Sequence, residues 1–324
     1  MILASCPLRI SLVGGSTDHP KFIEKYGHGA VISFASNLRT YVTIHQDIFG
    51  ANAIDERFII NYSRRETVST IPEIQNELIK HCFDHLNVTE YLNCTLTSDA
   101  FSVGSGLASS SSYLQSLIKA IFVMREQSIS HPEICRLAEL IEKKFNPLAG
   151  QQDFYGSLGG LKRIDFYEGE LPHIRFLNNQ IFKQLDCYLL YTGILRNSTD
   201  ILIDVDIDKS LVLLKDVDEL EHSINTNNIE VFNAIINNSW EHKKETSKNI
   251  CSHPDLMKLD KSLYQDNNVL SHKLCGAGNG GFFLIFTLPN MEEHLFQRYS
   301  NINKITISEI GIDSINFKHE FTRL

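Results

Sequence analysis

The run Phe101 to Ser112, FSVGSGLASSSS, constrains this chain more than any other segment. Gly104 and Gly106 precede a cluster of hydroxyls, after which Leu114, Leu117, Ile118, Ile121 and Phe122 recur at helical spacing. Glycine lets the backbone turn tightly, and the first turn of a helix presents N–H groups that have no intrahelical partner. Such a start suits an anion, with serines to cap the helix or to reach a phosphate or its metal. An ordinary capped helix after a loop fits the same residues. The run is not a P-loop, because no lysine follows its glycines. It is not a dinucleotide fingerprint, since Ser109 stands where GxGxxG needs its last glycine. GSGLA also lacks the GxSxG arrangement of a hydrolase elbow, and the chain has neither HRDxxxxN nor DFG.

A chain of 324 residues forms one large domain or two ordinary ones. A hydrophobic fraction of 43% with 21% charged residues suits a soluble globular protein. The formal charge of −9 gives a global field that disfavours nonspecific nucleic-acid binding. The seven cysteines, at 6, 82, 94, 135, 187, 251 and 275, are odd in number, widely spaced and without CxxC pairs. Buried, reduced thiols in a cytoplasmic protein account for them most simply. The opening MILASCPLRISLVGG has no basic region before its apolar run and reads as a strand rather than a signal peptide. No apolar run approaches the roughly 18 residues of a membrane span. The expectation is therefore a cytoplasmic protein with neither a nucleic-acid nor a membrane partner. No interface pattern chooses between monomer and homodimer.

Apolar patterning predicts strands at 2–13, 30–35, 40–45, 58–62, 92–97, 161–167, 187–191, 281–286, 302–307 and 315–321. It predicts helices at 20–26, 72–86, the segment after Ser112, 131–145, 152–158, 205–225 and 229–240. Ser130 is the expected N-cap of the helix at 131, with Pro132 in its first turn and Glu133 completing a capping box. This order, with strands early and late and helices between, favours an α+β fold of two lobes over regular βαβ winding.

Three further segments carry candidate chemistry. In Gly150-Gln151-Gln152-Asp153, Asp153 is placed to accept a proton from a hydroxyl and aim it at a phosphoryl donor. Glu142, on the preceding helix, offers a carboxylate for a hard cation such as Mg²⁺, together with a serine hydroxyl. Taken alone, either acid reads as a cap or a solvated surface group. Lys273 precedes the turn Cys275 to Gly281, where Gly276, Gly278, Gly280 and Gly281 imply a close backbone approach or simply a sharp turn. Gly14-Gly15-Ser16-Thr17-Asp18 ends the first strand with polar groups suited to a hydroxylated substrate or to an ordinary Asx turn.

In this order the four segments closely resemble the motifs of the GHMP small-molecule kinases. PxRxxxxGxxxD appears from Pro7 and Arg9 through Gly14 and Asp18, and PxGxGLGSS appears from Ser102 to Ser110. The central GxQD segment is Gly150 to Asp153, and the third glycine-rich motif runs from Lys273 to Gly281. The resemblance implies a ribosomal-protein-S5-like N-terminal lobe at 1–160 and a ferredoxin-like lobe at 161–324, the last strand being free to return to the first lobe. It implies ATP with its phosphates wrapped by Gly104, Ser105, Gly106, Leu107, Ala108, Ser109 and Ser110. Mg²⁺ would be held by Ser110 and Glu142, and Asp153 would face the attacking hydroxyl. Finer likeness, in PLRISLVGGSTDHP, AGQQDFYGSLGGL and LLYTGILRNS, points to the sugar-phosphate branch. The acceptor it implies is D-glycero-D-manno-heptose 7-phosphate, phosphorylated at its anomeric hydroxyl. Asp153 would serve that hydroxyl either as a base or as a group that polarises and positions it, and Thr17 and Asp18 would contact sugar hydroxyls. Arg9, Arg196 and Lys273, with the Gly276 and Gly278 turn, would meet the rest of the acceptor, Arg196 and Lys273 ranking above Arg9 for its phosphate. A kinase of a free sugar such as L-fucose would share the catalytic residues, and a nonenzymatic sugar or nucleotide sensor is the third reading. Two departures stand out. Ser102 replaces the proline that usually opens the loop, and Ala108 replaces a glycine, asking for either a right-handed conformation or some strain.

Overall fold

The computed structural model describes residues 1–48, 56–100, 104–147, 149–195 and 205–317. Its larger sheet has eight strands built around β1 (Ile2–Val13) and β2 (His28–Gln46), which pair antiparallel along most of their length. Outward from β2 lie β5 (Leu92–Ser98), then β3 (Phe58–Asn61) and β4 (Arg65–Val68), with β3 and β5 parallel. The first half of β2 pairs with β6 (Leu161–Tyr167), and β7 (His173–Phe176) pairs with β6. β12 (Asp313–Asn316) lies antiparallel to β1. A domain boundary at residue 160 therefore falls inside this sheet, because β6 and β7 belong to it.

Against this sheet pack α2 (Glu77–His85), α3 (Ser109–Met124) and α4 (His131–Glu142). Leu114, Leu117, Ile118 and Ile121 of α3 join Ile134, Ala138 and Ile141 of α4 in a core with Val31, Val42 and Ile44 of β2. The second sheet, of four strands, runs β11 (Ile302–Ile305), β8 (Asp186–Tyr191), β10 (Phe282–Thr287), β9 (Ser271–Leu274), all antiparallel. Numbered within the lobe, its strands lie in the order 4-1-3-2, which is the ferredoxin-like arrangement. Its helices are α6 (Leu211–Asn225), α7 (Ile229–Glu245), α8 (Pro254–Tyr264) and α9 (Glu292–Arg298). β10 alternates between two cores, as strand geometry requires. Leu284 and Phe286 pack with β1, β2, α6 and α7, whereas Phe283 and Ile285 pack with Trp240, Leu256 and Leu263. The molecule is a two-lobed α+β structure of the GHMP-kinase fold. Among the described residues no helix is long and apolar enough to cross a membrane.

The capping box at α4 forms as expected, with Ser130 Oγ accepting from Glu133 N and the Glu133 carboxylate accepting from Ser130 N. Elsewhere tertiary structure overrides the local pattern. The strands expected at 30–35 and 40–45 are one strand, β2. The polar pair Ser36-Asn37 marks where β2 changes partner from β6 to β5, and it is satisfied by a bridge to Ile307 and by bonds with Thr306. The helix expected at 72–86 breaks into a 3-10 turn at Ile71–Glu73 and α2, because the carboxylate of Glu66 accepts the Gln75 and Asn76 N–H groups and Asn76 then caps α2. The helix from His131 ends at Glu142 instead of 145, and α5 (Gln152–Tyr155) stops short of 158. The last strand covers 313–316, and 318–321 lie outside the described residues.

Candidate active site

Between the lobes lies a cavity of about 210 Å³ whose walls are the motif segments. Gly104, Ser105, Gly106, Ala108, Ser109 and Ser110 form one wall, and the first turn of α3 opens onto it. Ala108 is the residue before α3 and adopts the left-handed conformation, φ 59° and ψ 38°, so the strained alternative holds at this position. Ser105 Oγ lies 2.9 Å from Ser109 Oγ and accepts from Leu107 N, which closes the loop on itself. Leu107 differs from its neighbours: its side chain is fully buried, its N–H is engaged, and its carbonyl accepts from Arg9 N. It therefore braces the loop rather than wrapping an anion.

The loop sits against the second lobe at Gly281, where a Cβ would come within 2.4 Å of the Ser105 carbonyl oxygen. That close approach is what the third glycine run provides. Gly276 lines the cavity, whereas Gly278 packs its backbone on Ile250 and does not. Ser102 lies outside the described residues.

Asp153, on α5, faces the cavity and forms an ion pair with the buried Arg9 guanidinium. Arg9 also donates to the Gly106 carbonyl at 3.5 Å, so one side chain ties the carboxylate to the glycine-rich loop. Arg9, ranked last for the acceptor phosphate, is paired with Asp153, while its Nε has no partner among the described residues. Asp18 is buried beside them. Its carboxylate accepts from Ser16 N, Gln152 N and Gln152 Nε2, the last at 3.0 Å. Burial first, and the nearby Asp153 charge second, push its carboxyl above the usual range. Gly150 leaves room for this contact, since a Cβ there would lie 2.1 Å from Asp18 Oδ2.

Glu142 lies almost wholly out of water on the same cavity wall. Ser111 Oγ donates to it at 2.8 Å and Asn146 Nδ2 at 3.5 Å, with Ser110 also within reach. Burial holds its carboxyl at about 7 against these donors. A buried carboxylate with uncharged hydroxyl and amide partners, beside a helix start, is a donor set that fits a hard divalent cation. Ser111 shares with Ser110 the place assigned to Ser110 alone.

Thr17, expected to touch a sugar, is fully buried, and its hydroxyl donates to the Gly14 and Ala30 carbonyls at 2.8 Å each. It holds the turn together instead. Lys273 lines the cavity but spends hydrogen bonds on the Ser11 and Leu12 carbonyls, at 2.9 and 2.7 Å, and burial lowers its ammonium to about 8. Arg196 lies outside the described residues. Lys243 lines the cavity as well, reaching from α7 to Ser16 Oγ and the Gly15 carbonyl. Lys243 lies beyond the helix read at 229–240, and nothing in the sequence separates it from the neighbouring lysines. Ser11 and Gln152 complete the floor.

Residues 74–160 match the family model for the GHMP kinases N terminal domain. The chain is 28% identical over 322 residues to the D-glycero-alpha-D-manno-heptose 7-phosphate kinase of Campylobacter jejuni, covering 91% of this chain and 92% of that protein. It is similar in fold to a crystal structure of a D-glycero-D-manno-heptose 1-phosphate kinase from Bacteroides thetaiotaomicron, with TM-score 0.78, 20% identity, and 98% and 99% of the two chains covered. A putative sugar kinase from Campylobacter jejuni superimposes with TM-score 0.73 at 20% identity, over 97% of this chain and 98% of that one.

Proposed function

We propose that this chain, a GHMP-family sugar or sugar-phosphate kinase by its two-lobed fold and the domain match over residues 74–160, phosphorylates the anomeric hydroxyl of D-glycero-D-manno-heptose 7-phosphate from ATP. The observation that carries the reading is the meeting of the Arg9–Asp153 pair, Glu142 and the start of α3 on one cavity. The α3 N-terminus and the glycine-rich loop would hold the ATP phosphates through backbone N–H groups. Mg²⁺, held by Glu142 with Ser110 and Ser111, would neutralise phosphate charge when bound.

In the reaction the acceptor oxygen forms a bond to the γ-phosphorus, and the bond from that phosphorus to the β,γ-bridging oxygen breaks, releasing ADP. Asp153 accepts a hydrogen bond from the attacking hydroxyl and takes its proton as the new ester forms. Arg9 fixes the direction of the Asp153 carboxylate and stands between it and the loop that carries the donor. A loose transition state makes small demands for full deprotonation, so positioning by this pair supplies most of the effect. Lys243 and Lys273 give the cavity local positive charge inside a chain of net −9, which supports an acceptor bearing its own phosphate.

The test is ATP turnover with Mg²⁺ against heptose 7-phosphate, heptose 1-phosphate, L-fucose and D-mannose, with phosphorus NMR of the products. A new anomeric phosphate on heptose 7-phosphate, expected in the α configuration, supports the reading. Turnover confined to a free sugar or to heptose 1-phosphate replaces the acceptor. ATP binding without turnover on any of them favours a nonenzymatic sensor.

A further inference from the structure

The motif groups expected to read the sugar are largely occupied: the Thr17 hydroxyl serves two carbonyls, and both Asp18 oxygens accept N–H groups. The unsatisfied polar atoms of the cavity lie elsewhere. Among the described residues that line it, Arg9 Nε, Ser11 Oγ and Gln152 Oε1 are buried and have no hydrogen-bond partner; the Arg9 guanidinium is held through its other nitrogens by Asp153 and the Gly106 carbonyl, which leaves Ser11 and Gln152. Both residues line the cavity, at 4% and 9% exposure, so water reaches them only through it. They are also neighbours: a Cβ built on Gly15 would lie 3.9 Å from Ser11 Oγ and 3.7 Å from Gln152 Nε2.

The orientation of Gln152 is fixed. Asp18 Oδ1 requires a donor, so it takes Nε2 and leaves Oε1 as a bare acceptor. Ser11 sits on β1 with its backbone carbonyl taken by Lys273, which sets the strand beneath the hydroxyl. A buried carbonyl oxygen and a hydroxyl lining one cavity and both reaching the space beside Gly15 are matched by an alcohol, which donates to the first and exchanges a hydrogen bond with the second. Gln152 Oε1 needs a donor, which a carboxylate or a second amide oxygen does not supply.

Building on the kinase reading above, we infer that Ser11 and Gln152 form the subsite that recognises a non-reacting hydroxyl of the acceptor, and that Asp18 acts as the positioning residue which aims Gln152. Specificity arises because an acceptor lacking that hydroxyl leaves both buried atoms unpaired.

The experiment compares wild type, Ser11→Ala and Gln152→Met on heptose 7-phosphate and on its 2-, 3- and 4-deoxy analogues, with ATP affinity and melting temperature recorded. Among the described residues Ser11 Oγ has no hydrogen-bond partner, so Ser11→Ala should keep its melting temperature and its ATP affinity. Acceptor kcat/KM should fall about 10-fold or more in each variant. For one deoxy analogue the variants and wild type should perform alike, since the hydroxyl they recognise is gone. Losses of the same size for every analogue, or a loss under 2-fold in Ser11→Ala, overturn the inference while wild-type turnover stands. Failure of wild type to use any of these sugar phosphates overturns the kinase reading and the subsite with it.

Discussion

Glu142 is a buried carboxylate whose partners in the fold, a serine hydroxyl and an asparagine amide, carry no charge. Its carboxyl titrates at about 7 in the fold, above the 4.5 of a free glutamate, chiefly because burial disfavours the charged form. The folded state therefore holds a proton that the unfolded chain releases between these values, and stability falls as pH rises from 4.5 to about 7. The full effect, on the order of 3 kcal/mol, is present above pH 7 and absent below pH 4.5. Glu142→Gln keeps the hydrogen-bonding shape without the charge. It should melt several degrees above wild type at pH 8 without metal and within a degree of it at pH 4.5, by differential scanning fluorimetry at both values. Equal differences at the two pH values would place the cause elsewhere. Added Mg²⁺ with ATP should stabilise wild type more than this variant. Asp153 has a different character, being part exposed and paired with Arg9. Asp153→Asn should lower kcat at least 100-fold with ATP affinity nearly unchanged, by steady-state kinetics beside a nucleotide titration. Turnover within a few-fold of wild type would remove its assigned role.

At the scale of elements, the glycine-rich loop and α3 set the geometry of the donor side. Ala108 holds a left-handed conformation that a Cβ disfavours by roughly 1–2 kcal/mol. Glycine would remove that strain but add about 0.4–1 kcal/mol of unfolded-state entropy. Ala108→Gly should therefore stabilise by about 0.5–1 kcal/mol in urea denaturation, with ATP affinity kept or improved. Destabilisation would mean that the loop gains more from alanine packing than it loses in strain. This loop was readable because its chemistry is local: glycines before serines before an apolar helix face. Asp153 and Gly276 lie in motif segments and Glu142 on the helix before the GQQD segment, and the fold brings all three to the cavity. Ser11 was hidden inside an apolar strand run, and Lys243 on an amphipathic helix where lysine is the ordinary surface choice. β7 and β9 went unread as four-residue strands with too few periods to rise above their surroundings, and α8 and α9 were not read from the sequence either. β2 was read as two strands because Ser36-Asn37 mimics a turn, and only the change of partner from β6 to β5 explains it.

The whole molecule has two sheets but not two separate cores. Leu8, Ile10, Leu12 and Phe34 of the first sheet pack in one cluster with Leu189, Leu284 and Phe286 of the second and with Val217, Leu220, Phe232 and Ile236 between them. Polar ties follow the same seam: Lys273 binds β1 carbonyls, Lys243 binds the Gly15-Ser16 turn, and Arg163 of β6 pairs with Asp218 and Glu221 of α6. Splitting the lobes would expose this apolar layer and break the Lys273 hydrogen bonds to the Ser11 and Leu12 carbonyls. The cleft walls are thereby held in register without ligand, which fits a reaction that depends on positioning. One cooperative unfolding transition should follow, despite the length of the chain. The sole tryptophan, Trp240, is buried in α7 and reports on the second lobe, while amide exchange of β2 and β5 reports on the first. In urea the two probes should give coincident midpoints. Phe232→Ala, which empties the centre of the shared layer, should cost about 3–5 kcal/mol and lower both midpoints together. Should only the Trp240 signal shift, the lobes would unfold independently, and the fixed cleft would give way to one that opens and closes between turnovers.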